Sequence, residues 1–318
     1  MGRRHAENVK SSVSGARLTA VADPDPRARQ RAATDLDARA CATVDELLAR
    51  EDVRAVVVAS PARFHEEHAV AAARAGKDVF VEKPIAATLE AADRVIAAAH
   101  GAKVRLQVGF QRRYDPAYAE AHRLVSSGAL GRPIFYRGIN RDLDAPVGPP
   151  GSMASSDILA ESAIHDLDGA RWMMADEVAA LRASLATIGD PTVAPAPNLT
   201  MVELHFVRGA IAHVEALRGA RYAYDIRSEI LCEKGAVLVG GFAQTMLTVL
   251  HAGERHDDLY PGFLERYAKA YALELQDFVS GMRERRPPAV TGEDGRRALE
   301  IALAAGRSAE QGREVRIG

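Results

Sequence analysis

Cysteine is almost absent from this chain, with Cys41 and Cys232 the only two among 318 residues. Two thiols build neither a disulfide framework nor a thiolate zinc cage, and a reducing, cytoplasmic compartment is the default expectation. Aromatic residues are scarce at 5%, with a single tryptophan. Lysine is scarce as well: of 41 basic residues only Lys10, Lys77, Lys83, Lys103, Lys234 and Lys269 are lysines, which leaves 35 arginines. Neither sign of charge dominates, since 41 basic residues face 43 acidic ones for a formal net charge of -2. That balance offers no electrostatic footprint for nucleic acid or for an anionic membrane surface. No apolar run approaches the ~20 residues of a membrane span. The opening residues Met1-Gly2-Arg3-Arg4-His5 carry basic groups without the apolar stretch of a signal peptide. What remains is 47% hydrophobic and 26% charged residues, a globular composition long enough for two domains at ~150 residues each.

The first hundred or so residues alternate short apolar runs with helical patterns, the mark of βαβ units and a parallel sheet. Helices are predicted over 3–11, 27–36, 43–48, 65–75 and 88–100, and strands over 18–22, 53–59, 78–81 and 104–109. Pro24 and Pro26 close the first of those strands and suit a helix start, while Gly76 and Gly101 stand where helices end. Beyond Tyr114 the pattern changes. A helix over 116–126 precedes a strand over 133–140, residues 145–156 are Pro-, Gly- and Ser-rich loop, and 158–174 reads as a helix carrying Glu161, His165, Asp166 and Asp168. Strands over 180–187, 200–207, 210–216 and 225–232 follow, with hairpin signals at Arg208-Gly209 and Glu233-Lys234-Gly235. Helices over 263–282 and 292–309 end the chain. The expectation is an α/β domain over 1–113, a doubly wound parallel sheet, and an α+β domain with a mainly antiparallel sheet over 114–318.

Several segments together carry a resemblance. Ser60-Pro61 before Phe64-His65, Ala75-Gly76-Lys77 and Val81-Glu82-Lys83-Pro84 resemble the second half of the Rossmann domain of the Gfo/Idh/MocA oxidoreductases. Gln107-Val108-Gly109-Phe110-Gln111-Arg112-Arg113-Tyr114-Asp115, the stretch Tyr222 to Glu229 and the tail from Thr291 to Ala298 resemble the inositol 2-dehydrogenase branch of that family. The resemblance implies an NAD-dependent oxidoreductase acting on a cyclic polyol or sugar, assembled as a homodimer or homotetramer. It implies no metal, although Glu161, His165, Asp166 and Asp168 form a conceivable ligand set.

Lys83 follows a buried strand at its carboxyl end, where open α/β sheets place ligands, and its ammonium can stabilise a developing alkoxide. The structural alternative is an ion pair with Glu82. His165 is the candidate general base, since alcohol oxidation needs an acceptor for the hydroxyl proton. Glu161 lies one helical turn earlier and can orient the ring; the family normally has Asp there, so the longer side chain is a departure. Asp23 ends a strand 21 residues after Gly2, the spacing of the acid that binds the adenosine ribose and repels a 2′-phosphate. The resemblance further implies Ser60, His65 and Glu82 beside the cofactor, and Asn140, Asp142 and Tyr222 on the polyol; as a first-turn residue of a helix, His65 can equally be structural. Asn140-Arg141-Asp142 replaces the His-Arg-Asn usual in the inositol branch, so the resemblance does not carry myo-inositol itself over as the substrate.

The fingerprint Gly-x-Gly-x-x-Gly follows a strand and opens a helix. Here only its last glycine, Gly2, is assignable, so the chain reads as truncated at its start; the alternative is a protein that has lost tight dinucleotide binding. Two further alternatives are a cofactor-poor binding relative and a redox-neutral enzyme that retains NAD while acting on glycosides.

Overall fold

Short apolar runs between alanine-rich helices make strands that tolerate burial on both faces, and the N-terminal half of the chain stacks them in parallel. The computed structural model describes residues 1–143, 157–189, 196–241, 243–251 and 254–317. Its first elements are α1 (Gly2–Ser11), β1 (Ala20–Ala22), α2 (Pro26–Leu36), β2 (Arg39–Cys41), α3 (Val44–Leu48), β3 (Ala55–Val58), α4 (His65–Arg74), β4 (Asp78–Glu82), α5 (Leu89–Ala102) and β5 (Leu106–Gly109). Asp25, Thr43 and Thr88 each accept a backbone N–H at the start of α2, α3 and α5, which fixes where those helices begin. The strands form two separate parallel sheets, β1-β2 and β3-β4-β5. Among the described residues no strand joins β1 to β3.

The second half contributes α6 (Pro116–Ser126), β6 (Pro133–Asp142), a π-helical turn at Leu159–Ala163, α7 (Ile164–Met174), β7 (Val178–Ala186), β8 (Leu199–Phe206), β9 (Ile211–Arg218), β10 (Asp225–Cys232) and β11 (Gly235–Gly241). After them come β12 (Ala243–His251), β13 (Glu254–Leu259), α8 (Phe263–Arg266), α9 (Ala268–Glu284), α10 (Gly292–Gln311) and β14 (Val315–Arg316). Seven strands pair in the order β11-β10-β6-β9-β8-β7-β14, while β12 and β13 form their own hairpin. Every pairing in the seven-stranded sheet is antiparallel except β6 with β9. One face of that sheet packs on α6 and α7 through Tyr118, Tyr136, Leu167, Met173, Leu204 and Val214. The loop expected over 145–156 lies outside the described residues.

The chain packs as two compact units, Met1–Tyr114 with Lys269–Leu299, and Asp115–Ala268 with Glu300–Gly318. The first crossing falls where the sequence divides 1–113 from 114–318. The return of 269–299 to the first unit departs from that division, and its cause is the apolar stripe of α9, whose Leu275 and Phe278 pack on Val13 and Phe80. The single helix expected over 263–282 is interrupted at Tyr267, which is fully buried.

Candidate active site

In the first unit the site is built around the end of β4. Val79, Phe80 and Val81 are fully buried, so the strand cannot shift, and Lys83 emerges directly after it with a partly exposed side chain. The Lys83–Pro84 peptide bond is cis. The backbone just beyond Lys83 is held by His65 at the start of α4: its Nδ1 lies 2.7 Å from the Pro84 carbonyl oxygen and its Nε2 2.7 Å from the Ser60 carbonyl oxygen. The Ser60 hydroxyl lies 3.0 Å from His68 Nδ1. His65 is 2% exposed, which makes it a brace for the turn rather than a group presented to solvent.

Glu82, expected beside the cofactor, points inward instead: its Oε1 lies 2.5 Å from His5 Nε2, and the residue is 7% exposed. Burial pushes its carboxyl up, but the hydrogen bond from His5 and the charges of His5 and Lys83 outweigh that and lower it overall. Glu82 thus has His5 as a hydrogen-bond partner, and the Lys83 charge also acts on its carboxyl. Asp23 is exposed at the carboxyl end of β1, where its Oδ1 accepts the Asp25 N–H at 2.8 Å and its carbonyl accepts Arg29 Nη1 at 2.6 Å. Gly2 opens α1, whose first turn holds no acid and no side-chain cap. An uncapped helix start without acidic residues suits a phosphate group.

In the second unit the π-helical turn at Leu159–Ala163 carries Glu161, and α7 carries half-buried His165 in its first turn. The i, i+4 spacing of the two residues is thus taken across a widened turn rather than a regular α-helix. Asn140 is 4% exposed, and its Nδ2 donates to the Ser162 carbonyl at 2.9 Å and to Asp166 Oδ2 at 3.1 Å. Expected on the substrate, its amide nitrogen is committed to holding the π turn and α7 on β6. Arg218, which the sequence did not single out, is 7% exposed; its Nε donates to Ser162 Oγ at 2.9 Å. Burial lowers its guanidinium against the attraction of Glu161, Asp142 and Asp157. Asp142 ends β6 opposite Arg218, and its carbonyl accepts the N–H groups of Gly219 and Ala220.

Tyr222 donates its hydroxyl to Asp225 Oδ2 at 2.5 Å and accepts Arg141 Nη1 at 3.1 Å. Burial and the bond to Asp225 push that hydroxyl up. Asp225 is fully buried and also takes Arg227 Nε at 2.8 Å, while Arg141 pairs with Glu215 at 2.7 Å. The predicted residues thus fall into three local groups: Lys83 with Glu82, His65 and Ser60; Asn140 with the segment that carries Glu161 and His165; and Tyr222 with Arg141. Asp23 stands on the separate β1-β2 sheet. His5, Arg218 and Glu274 escaped the sequence reading. The available signal was position: Glu274 falls in the stripe Tyr271, Leu275, Phe278 of α9, where a polar side chain is anomalous.

Two family models match the chain. One, described as an oxidoreductase family with an NAD-binding Rossmann fold, covers residues 1–110, and the other, the GFO/IDH/MocA C-terminal domain, covers residues 118–238. The scyllo-inositol 2-dehydrogenase (NAD(+)) of Bacillus subtilis is 33% identical over 322 residues, covering 100% of this chain and 93% of the relative. The myo-inositol 2-dehydrogenase of Thermotoga maritima is 34% identical, covering 100% and 96%. The crystal structure of scyllo-inositol dehydrogenase from Lactobacillus casei, with bound NAD(H) and scyllo-inositol, superposes with a TM-score of 0.92 at 26% identity, covering 99% of this chain and 95% of that one.

Proposed function

The chain belongs to the Gfo/Idh/MocA oxidoreductase family, and on that premise we propose that it is an NAD-dependent dehydrogenase of a cyclic polyol of the inositol type. The observation that carries the reading is Lys83 at the carboxyl end of β4, the middle strand of the β3-β4-β5 sheet, with its following backbone braced by His65. Inositol relatives matching over the full chain support the substrate class.

Asp23 and the start of α1 at Gly2 fit a dinucleotide: an exposed carboxylate for the ribose diol and an uncapped helix end for the pyrophosphate. A carboxylate at that place repels a 2′-phosphate and so favours NAD over NADP. Ser60 and His65 support that side through the turn, and Glu82 acts through His5 rather than on the cofactor. The bound nicotinamide supplies the acceptor for the hydrogen and electron pair that leave the carbinol carbon.

This chain's residues do the rest. The Lys83 ammonium donates a hydrogen bond to the reacting oxygen and stabilises the charge that develops on it. His165 accepts the hydroxyl proton, so an alcohol loses one proton to the protein and emerges as a ketone. Glu161 and Arg218 set the charge around His165, and Asp142, Asn140 and Tyr222 shape the polyol end. We assign the protein to the cytoplasm and to a homodimer or homotetramer. Met201, Ile211 and Leu238, exposed apolar residues of β8, β9 and β11 on the sheet face opposite Tyr136, give that face a surface suited to a second copy. No observation favours the cofactor-poor or the redox-neutral reading.

Substitution tests the assignment. Lys83→Met is expected to lower kcat about 10²–10⁴-fold while the dissociation constant for NADH changes little, measured by steady-state kinetics and fluorescence titration. Unchanged kcat would remove Lys83 from the chemistry.

A further inference from the structure

Three ionisable side chains are walled into the first unit, and a dry site does not readily hold the negative charge they represent. His5 on α1, Glu82 on β4 and Glu274 on α9 are 1%, 7% and 0% exposed. One polar atom from each lies within 4.8 Å of the others. Glu82 is answered by His5 at 2.5 Å, but neither oxygen of Glu274 has a hydrogen-bond partner, and neither has His5 Nδ1. The elements packed around Glu274 bring it no donor. The rings of Phe80 and Tyr271 meet the His5 ring edge-on. From β5, Gln107 Nε2 donates to the Glu274 backbone carbonyl at 3.1 Å rather than to its carboxyl. Gly109 of β5 lies close as well: a Cβ there would sit 3.1 Å from Phe80 Cζ and 3.3 Å from the Glu82 carboxyl carbon, so both side chains would have to yield slightly.

The charged and titratable groups acting on this cluster are few. The Met1 amino group and Lys83 act on Glu82 together with His5, Glu82 acts on Glu274, and Glu274 in turn acts on Tyr114. Two carboxylates buried against one imidazole cannot both be ionised cheaply; one proton shared by the pair removes the conflict. We propose that Glu274 stands in the fold as a neutral carboxylic acid behind the His5–Glu82 hydrogen bond, and that the three residues form a positioning cluster for the Glu82-Lys83-Pro84 turn. His5 holds the side chain of the residue before Lys83 and His65 the backbone carbonyl of the one after it, so an imidazole anchors the turn on either side of the lysine. A second negative charge on Glu274 would compete with Glu82 for His5 and loosen the first of those holds. Burial and the neighbouring Glu82 charge both push the Glu274 carboxyl well up, in agreement with that state.

The positioning role rests on the part given to Lys83 above; the protonation does not. A carboxyl raised in the fold keeps a proton that the unfolded chain releases, so its contribution to stability falls as pH climbs above the unfolded value. Glu274→Gln imitates the neutral acid and should erase that fall. The melting temperatures of the full chain and of this variant should be close at pH 5. The variant should then gain on the wild type by about 2–4 °C per pH unit as pH rises toward 8. A flat difference, or one that turns negative with rising pH, overturns the proposal. So does one divalent cation per chain whose chelation lowers the wild-type melting temperature. In a second arm, Glu82→Gln should lower kcat with NAD and scyllo-inositol about tenfold or more while the NADH dissociation constant stays within about twofold. A weakened NADH complex with kcat intact overturns the positioning role. An NADH-binding wild type that turns over no polyol would count against the reading of Lys83, with the melting curves still deciding the state of Glu274.

Discussion

Asn140 was expected at the ligand, and His65 either beside the cofactor or as a structural first-turn residue; both turn out to hold backbone. His65 bonds two carbonyls from inside the fold, and Asn140 bonds the Ser162 carbonyl and a fully buried Asp166. A chain read as letters shows that such residues are polar and well placed, but not that their donors are already used, because the partners lie 19 and 26 positions away. Lys83 differs, since its rarity and its place after an apolar run were legible without the fold. Asn140→Ala is expected to cost about 1–3 kcal/mol in urea denaturation, because Asp166 loses a donor where water cannot replace it. A substrate contact alone would raise KM and leave stability unchanged. Asp23→Ser should weaken NAD about tenfold and narrow the preference over NADP, read from KM for each cofactor.

Helices and most long strands were legible to within a few residues, because their signals are local: Pro26 after Asp25, Thr88 before an alanine-rich run, Gly76 after another; the nine-residue β12 was missed. The failures share a cause in pairing. β2 and β14 are two or three residues long, β13 is Glu-Arg-His-Asp-Asp-Leu, and β11 is rich in glycine, so each becomes a strand through its neighbour rather than its own pattern. The π-helical turn under Glu161 was equally hidden, since its residues read as ordinary helix. The helix that follows it, α7, meets β6 where Gly138 makes room: an added Cβ would lie 2.8 Å from Asp166 Oδ1 and 3.1 Å from Tyr136 Cε1. Gly138→Ala should therefore destabilise the fold by about 1–3 kcal/mol, seen as a lower melting temperature, and should disturb α7 together with His165. An unchanged melting temperature would mean that α7 moves aside without cost.

For the whole molecule, composition excluded more than it identified: near-neutral charge and two cysteines removed nucleic acid and disulfide scaffolds, and no helix among the described residues is long and apolar enough to cross a membrane. The two-unit organisation was visible as a change of pattern near Tyr114, whereas the return of α9 to the first unit depends on tertiary packing of its apolar stripe. Light scattering should give a mass of two or four 34.1 kDa chains, and a monomer would contradict the role given to the exposed sheet face. The most direct test of the central claim is NADH formation, followed by absorbance, when the protein is mixed with NAD and a panel of inositols and sugars. The expected result is NADH from at least one cyclic polyol, with NADP a much poorer acceptor. NADH bound tightly but none formed from any polyol would contradict the account.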